Sequence, residues 1–189
     1  MKKIAIIAPG HGDYDERVGR TVKIALKFGK VLFLYDLSRK IKKEGNENKK
    51  YIWWKKNVIS KEFPKKKYGV IFSRFYRIQN VCKIIKNYKP EIVHIHESGT
   101  FGLQILNALK KLNINSKFIW DYHDWIPYEI QGYMNNKTIG KKINFCIEKI
   151  CKHYAQDIDV TICISKEQAY YCEKNLDIKN TKIIPYQNK

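Results

Sequence analysis

The sequence predicts an α/β domain built on an open parallel sheet with helices on both faces. Two features carry that prediction. Short, continuously apolar runs such as Ile4–Ala8 and Val31–Tyr35 have the composition of strands buried on both sides. They alternate with stretches whose apolar residues recur at three- and four-residue spacing, each long enough to cross back over a sheet and start the next parallel strand. No internal repeat or low-complexity linker divides the 189 residues, so one domain over residues 1–189 is expected.

The elements follow in order. Lys3–Ala8 is the first strand, closed by Pro9 and Gly10. A helix over Asp15–Phe28 carries Val18, Val22, Ala25 and Leu26 on one face, and Gly29 reads as its stop. Val31–Tyr35 is the second strand. Residues 38–67 are polar and basic, and within them Tyr51-Ile52-Trp53-Trp54 reads as either a short third strand or an exposed aromatic patch. From Tyr68 to Tyr88, Ile71, Phe75, Ile78, Cys82 and Ile85 keep helical spacing until Pro90. Glu91–His96 is a strand, Gly99–Leu112 a helix, and Lys117–Tyr122 a strand. Residues 125–134 read as a short helix or lid, and Thr138–Tyr154 as a long amphipathic helix. Val160–Ile164 is a strand, after which Ser165 caps a helix with Gln168 completing a capping box. Lys182–Pro185 is the last short strand.

Composition narrows the class. A hydrophobic fraction of 44% and an aromatic fraction of 13% support a packed core without metal or disulfide staples. The 5 cysteines are odd in number and form no C-x-x-C, the usage expected in a reducing compartment. The apolar run after Met1-Lys2-Lys3 is too short for a signal peptide, and no stretch approaches the ~20 residues that cross a bilayer. A cytoplasmic protein is expected, soluble or peripheral at the inner face of the membrane. The net charge of +19 is uneven: residues 1–89 hold 24 Lys and Arg against 7 Asp and Glu, residues 90–189 only 13 against 11. Either these lysines simply solvate the surface, or they meet an anionic partner such as lipid headgroups, nucleic acid or phosphorylated substrates.

Ligands of an open parallel sheet bind beyond the carboxyl ends of its strands. There the sequence sets Gly10-His11-Gly12-Asp13, His96-Glu97-Ser98-Gly99 and His123-Asp124, histidines and acids from distant segments on one predicted edge. Gly10 and Gly12 let the backbone turn tightly and approach an anion at the next helix start. This is no dinucleotide fingerprint, because Asp15 stands where the third glycine would be. His94-Ile95-His96 sets two imidazoles on one side of a strand, which suits either zinc or a hydrogen-bonded core. Asp13-Tyr14-Asp15 has the spacing of a metal-holding pair, but capping the first helix is the simpler role. No nucleophile elbow or Walker loop is present.

Taken in order, these residues resemble the amino-terminal half of the family 4 glycosyltransferases. Asp15-Glu16-Arg17-Val18 matches the family's D-x-R-V helix start, and Pro90-Glu91-Ile92-Val93-His94-Ile95-His96-Glu97 its proline-acid-strand-histidine run. Tyr122-His123-Asp124 matches an aromatic-x-H-[DE] strand end without the spacer, with Pro127 and Glu129 close behind. Val160–Ser165 and Ile183-Ile184-Pro185 match the strand-serine-helix and I-P landmarks. The resemblance implies a Rossmann-like domain, the first half of a GT-B fold. It also implies transfer of a sugar from a nucleotide-sugar co-substrate to an acceptor, a glycan or lipid-linked molecule, with retained anomeric configuration and no metal or further cofactor. His123 would face the transferred sugar, and Asp124 would either orient it or cap the next helix. Gly10 and Gly12 would approach the donor phosphate, while His11, Arg17, His96 and Glu97 would shape the acceptor pocket.

The sequence departs from the family in one respect. It stops at Gln187-Asn188-Lys189, about where the second, donor-binding domain begins, and no glutamate has another eight positions later. The E-x7-E donor signature is thus missing, and the isolated chain is expected to be inactive without a separate or missing carboxy-terminal domain. The alternative is a non-catalytic acceptor- or membrane-binding subunit of a two-chain transferase, suggested by the basic first half and by Tyr51, Trp53 and Trp54. Nucleic-acid binding is the weaker alternative, because no RNA- or DNA-binding module pattern is present.

Overall fold

A computed structural model of the chain describes residues 1–9, 15–35, 58–62, 70–97, 99–124, 137–156 and 158–185. Among them, seven strands form one sheet: β1 (Lys2–Ala8), β2 (Gly29–Tyr35), β3 (Ile59–Glu62), β4 (Ile92–His96), β5 (Lys117–Tyr122), β6 (Val160–Cys163) and β7 (Thr181–Ile183). The described helices are α1 (Glu16–Leu26), α2 (Val70–Tyr88), α3 (Thr100–Lys111), α4 (Lys137–Ala155) and α5 (Lys166–Asn175). Every pairing is parallel, in the order β3-β2-β1-β4-β5-β6-β7. The chain steps outward from β1 to β3 and then returns to the other side of β1, so the carboxyl ends of β1 and β4 flank the reversal of direction.

Alternation along each strand sorts the core into two sides. Ala5 and Ile7 of β1 pack with Leu32, Leu34, Val93 and Ile95 beneath α2 and α3. Ile4, Ile6 and Ala8 pack on the opposite side with Val18 and Val22 of α1. Toward β6 the first side continues as Trp120, Tyr122 and Cys163 beneath α4 and α5. Helices therefore cover both faces of an open α/β sheet, as the sequence predicts. All five cysteines are free thiols.

Local chemistry explains the helix ends. The Asp15 carboxylate accepts hydrogen bonds from Arg17 N at 3.0 Å and Val18 N at 3.2 Å, so this half of the D-x-D pair is a helix cap. α2 ends where Lys89 turns into the left-handed region at φ 51, just before Pro90. Ser165 Oγ accepts from Gln168 N at 3.2 Å at the start of α5.

Three sequence expectations need adjustment. The third described strand is Ile59–Glu62, a short edge strand too polar to stand out by hydrophobicity, whereas Tyr51–Trp54 and residues 125–134 lie outside the described residues. Gly29 is not a helix stop but the first residue of β2, paired with Lys2. There it is needed for its lack of a side chain, because a Cβ would collide with the Lys2 carbonyl. Gln168 does not complete the box at Ser165; its Oε1 accepts from Ile164 N at 2.9 Å instead.

The Gly29 contact is with backbone, which cannot rotate away. Gly29→Ala is expected to destabilise the domain by about 1–3 kcal/mol, seen as a Tm lowered by several degrees in thermal unfolding. An unchanged Tm would show that the β1–β2 pair shifts apart at no cost.

Candidate active site

β4 and β5 carry the chemistry because toward their carboxyl ends the α1-side positions are polar, His94 and His96 on one and Asp121 on the other, where those of β1 and β2 are apolar. Val93 and Ile95 enter the core under α2 and α3, which leaves His94 and His96 on the α1 side. On β5, Phe118, Trp120 and Tyr122 take the side covered by α2 to α5, and Asp121 the α1 side. The register sets His96 directly opposite Asp121. His123, two residues past Asp121, lies beside it just beyond the strand end.

Asp121 is the centre of this group. Its Oδ2 lies 2.9 Å from His96 Nδ1 and 3.9 Å from His94 Nε2. Its Oδ1 lies 3.3 Å from His123 Nδ1, which is also 3.2 Å from the Asp121 carbonyl oxygen. All four residues are buried. The His94 and His96 rings stack with centroids 4.4 Å apart, and those of His96 and His123 lie 6.5 Å apart. Burial alone pushes the Asp121 carboxyl up, but hydrogen bonds from His123 and His96 outweigh it and hold the group well below the usual carboxylate range. Burial acts oppositely on His94: with the nearby His96 it lowers this imidazole to about 3, so the ring is neutral at physiological pH.

The rim is built from the same strand ends. Asp124 Oδ2 lies 3.4 Å from His123 Nε2 on a side chain that is 49% exposed. Gln168 Nε2 donates to the His123 carbonyl at 3.3 Å, tying α5 to the end of β5. Trp120 Nε1 donates to the Glu97 carbonyl at 2.6 Å, tying the ends of β4 and β5 together. Glu97 continues the alternation onto the α3 side, where its carboxylate accepts from Gly102 N in the first turn of α3. Burial raises this carboxyl to about 7, although the Gly102 bond and the Arg74 guanidinium pull it back.

A groove of about 410 Å³ opens on the α1 side of the sheet. Arg17 and Arg20 of α1 line it with His94 and Asp121, and Ile162, Ile164 and Ile184 form its apolar wall. His96, His123 and Asp124 are thus gathered at one rim, with Arg17 on the groove that reaches Asp121 and His94, while Glu97 is engaged on the opposite side of the sheet. Gly10, His11 and Gly12 lie outside the described residues. Among the described residues, His94, His96 and Asp121 are the group whose ligand atoms, within 4.8 Å of one another, could hold a metal ion. Asp121 is already shared between two imidazoles.

The sequence does not single out Asp121, and it offers Gln168 only as a partner of the Ser165 cap. A lone acid inside an apolar strand, two residues before a histidine, was the available signal for Asp121. Gln168 reads as a local cap, and its long-range bond to His123 has no signature in a linear sequence.

Comparison with known proteins identifies the frame in which these residues sit. The model of glycosyltransferase family 4 matches residues 29–186. The chain belongs to glycosyltransferase family 4. Similar solved structures agree on the fold. A glycosyltransferase from Rickettsia africae superimposes with a TM-score of 0.58 at 14% identity, covering 97% of this chain and 42% of that one. MurG of Acinetobacter baumannii gives 0.58 at 12% identity, covering 100% of this chain and 46% of that one. A lipopolysaccharide outer-core galactosyltransferase gives 0.60 at 15% identity, covering 98% and 46% respectively. The chain therefore spans less than half the length of these GT-B transferases. No curated protein matches it by sequence.

The two carboxyls make opposite contributions to stability with pH. Glu97 has a folded value near 7 against an ordinary 4.5, so its contribution is complete below 4.5 and is lost as pH rises through 7. Glu97→Gln is expected to flatten that decline in urea unfolding midpoints measured from about pH 4 to 8; an unchanged slope would place the titration elsewhere. Asp121 is depressed below its ordinary 3.8, so its contribution is present above that value and lost as pH falls further. Asp121→Asn is expected to cost about 1.5–3 kcal/mol at neutral pH, the worth of a hydrogen bond to a charged group, and to weaken the acid dependence. Wild-type stability in the variant at neutral pH would show that the cluster does not depend on the carboxylate.

Proposed function

We propose that this chain is the acceptor-side domain of a retaining glycosyltransferase. It would move a sugar from a nucleotide-sugar to a glycan or lipid-linked acceptor, and need no metal. The observation that supports this reading is the gathering of His96, Asp121, His123 and Asp124 at the carboxyl rim of β4 and β5, beside a groove that Asp121 and His94 line. In this reading the Asp121 carboxylate orients His123, as its 3.3 Å approach to Nδ1 suggests, so that the Nε2 edge meets the sugar. Asp124 beside Nε2 is displaced by, or shares, the incoming hydroxyl. Backbone N–H groups at Gly10 and Gly12 would meet the donor phosphate and stabilise leaving-group charge. Arg17 and His11 would line the acceptor side, with the fully buried His96 holding Asp121 from behind and Glu97 supporting the rim through α3 rather than touching the acceptor.

The donor would be held mainly by a second domain, on the same polypeptide or on a partner chain, and the protein would work in the cytoplasm or at the inner face of a membrane. The test is a nucleotide-release assay with the chain alone and with a family 4 donor-binding domain. The pair is expected to turn over and the isolated chain is not. His123→Ala in the active pair is expected to lower kcat by roughly 10²–10³, the scale of losing one preorganised donor at developing charge. Robust transfer by the isolated chain would refute the division of labour, and a fully active His123→Ala pair would remove the role given to His123. Acceptor binding without turnover in any pairing would favour the non-catalytic subunit.

A further inference from the structure

We propose that His94, His96 and Asp121 form a binding site for a divalent transition-metal ion of the zinc type. The site is a product of strand geometry. His94 and His96 stand two residues apart on β4, on the same side of the sheet. The register sets Asp121 opposite His96 and diagonal to His94, so three metal-ligating side chains from two strands converge. Each offers one ligand atom, and the three atoms lie within 4.8 Å of one another. Ligands held about 2.0–2.2 Å from a tetrahedral zinc stand about 3.3 Å apart. The distances to Asp121 Oδ2, 2.9 Å from His96 Nδ1 and 3.9 Å from His94 Nε2, bracket that span. The two rings already lie side by side with centroids 4.4 Å apart, and a tilt of the His94 ring toward Oδ2 is the adjustment the shell requires.

A second observation points to a ligand. His94 is 8% exposed, yet its Nε2 is buried without a hydrogen-bond partner, the 3.9 Å to Asp121 being too long for one. Folding ordinarily pairs such an atom. Ser73, Asn144 and Thr161 also hold buried polar atoms without partners, but among the described residues no three metal-ligating atoms gather at any of them. His94 and Asp121 line the groove on the α1 side, so an ion can enter from solvent and keep a fourth position facing the groove. Arg17 and Arg20 line the same groove and favour an anionic oxygen in that position. Asp121 can serve the metal and His123 together because its oxygens are divided. Oδ2 faces His94 and His96, while Oδ1 faces His123, so a bound ion pins β4 to β5 and leaves the His123 contact in place. Two imidazoles with one carboxylate suit Zn²⁺ or Co²⁺, whereas Mg²⁺ and Ca²⁺ demand shells of oxygen. The inference stands on these three side chains and not on sugar transfer, so it can fail while the proposed activity holds, and the reverse.

The test is titration of the metal-free chain with Co²⁺, followed by visible absorption, and with Zn²⁺, followed by calorimetry and thermal unfolding. The expected result is one equivalent of either ion per chain, displacement of Co²⁺ by Zn²⁺, and a Tm raised by zinc. Mg²⁺ is expected to give no saturable response. His94→Gln keeps a polar side chain but removes a ligand, and the unpartnered Nε2 gives no bond to lose, so the metal-free variant is expected to melt with the parent. Its zinc affinity is expected to fall by at least roughly a hundredfold, since even the outer partners of a metal ligand are worth about 10–100-fold. Asp121→Asn is expected to show a loss of the same order, with each variant titrated below its own melting temperature. Cys146→Ser with His153→Ala removes exposed groups that could bind zinc at the surface and is expected to bind as the parent does. Absence of saturable zinc binding overturns the proposal. So does parental affinity in His94→Gln or in Asp121→Asn, or loss of binding in the Cys146 and His153 variant, which would place the ion on the surface of α4.

Discussion

An ionised carboxylate held away from water organises this end of the sheet. Left alone, Asp121 would take up a proton, because the desolvation of a bare charge is far costlier than neutralisation. It remains charged only because imidazoles approach both of its oxygens, one from the neighbouring strand and one from the end of its own. The requirement fixes the β4–β5 register, since a slip by one residue would turn Asp121 toward the opposite side of the sheet or set it against an isoleucine. It also fixes the orientation of His123, whose remaining ring edge then faces the rim.

The two sides of β4 show how a single strand serves two tasks. His96 and Glu97 are adjacent in sequence, yet one joins the cluster and the other is bonded to the first turn of α3. The alternation of strand side chains makes this separation unavoidable. Glu97 supplies for α3 what its N-cap position, Gly99, lacks: an acceptor for an unpaired N–H at the positive end of the helix. The rim is thus stiffened from behind by contacts that play no direct part at the groove.

Much of the architecture was legible in the sequence because it rests on local pattern. Runs such as Ile4–Ala8 and Val31–Tyr35 are apolar on both sides and could only be central strands, and Pro90 and Ser165 mark helix ends by their own chemistry. β3 escaped notice because an edge strand need not be apolar. Gly29 was misread because a glycine after a helical run has two explanations, conformational freedom or lack of bulk, and only the partner strand distinguishes them. The candidate site was half legible. His96, His123 and Asp124 fall at strand ends, which the sequence reveals, whereas Asp121 acquires its meaning from a cross-strand register set by the packing of distant segments. Membership of glycosyltransferase family 4 agrees with the order of those landmarks.

Gln168 has a consequence for which side chains its position tolerates. Its amide nitrogen donates to the His123 carbonyl while its amide oxygen accepts from Ile164 N, so opposite ends of one planar group face an acceptor and a donor. A carboxylate of the same shape would bring oxygen against oxygen in a space closed to solvent, and a hydrocarbon would orphan both backbone groups. The position therefore acts as a polarity filter, admitting a group that carries both hydrogen-bonding roles at once and coupling the seating of a helix to the backbone that presents an imidazole.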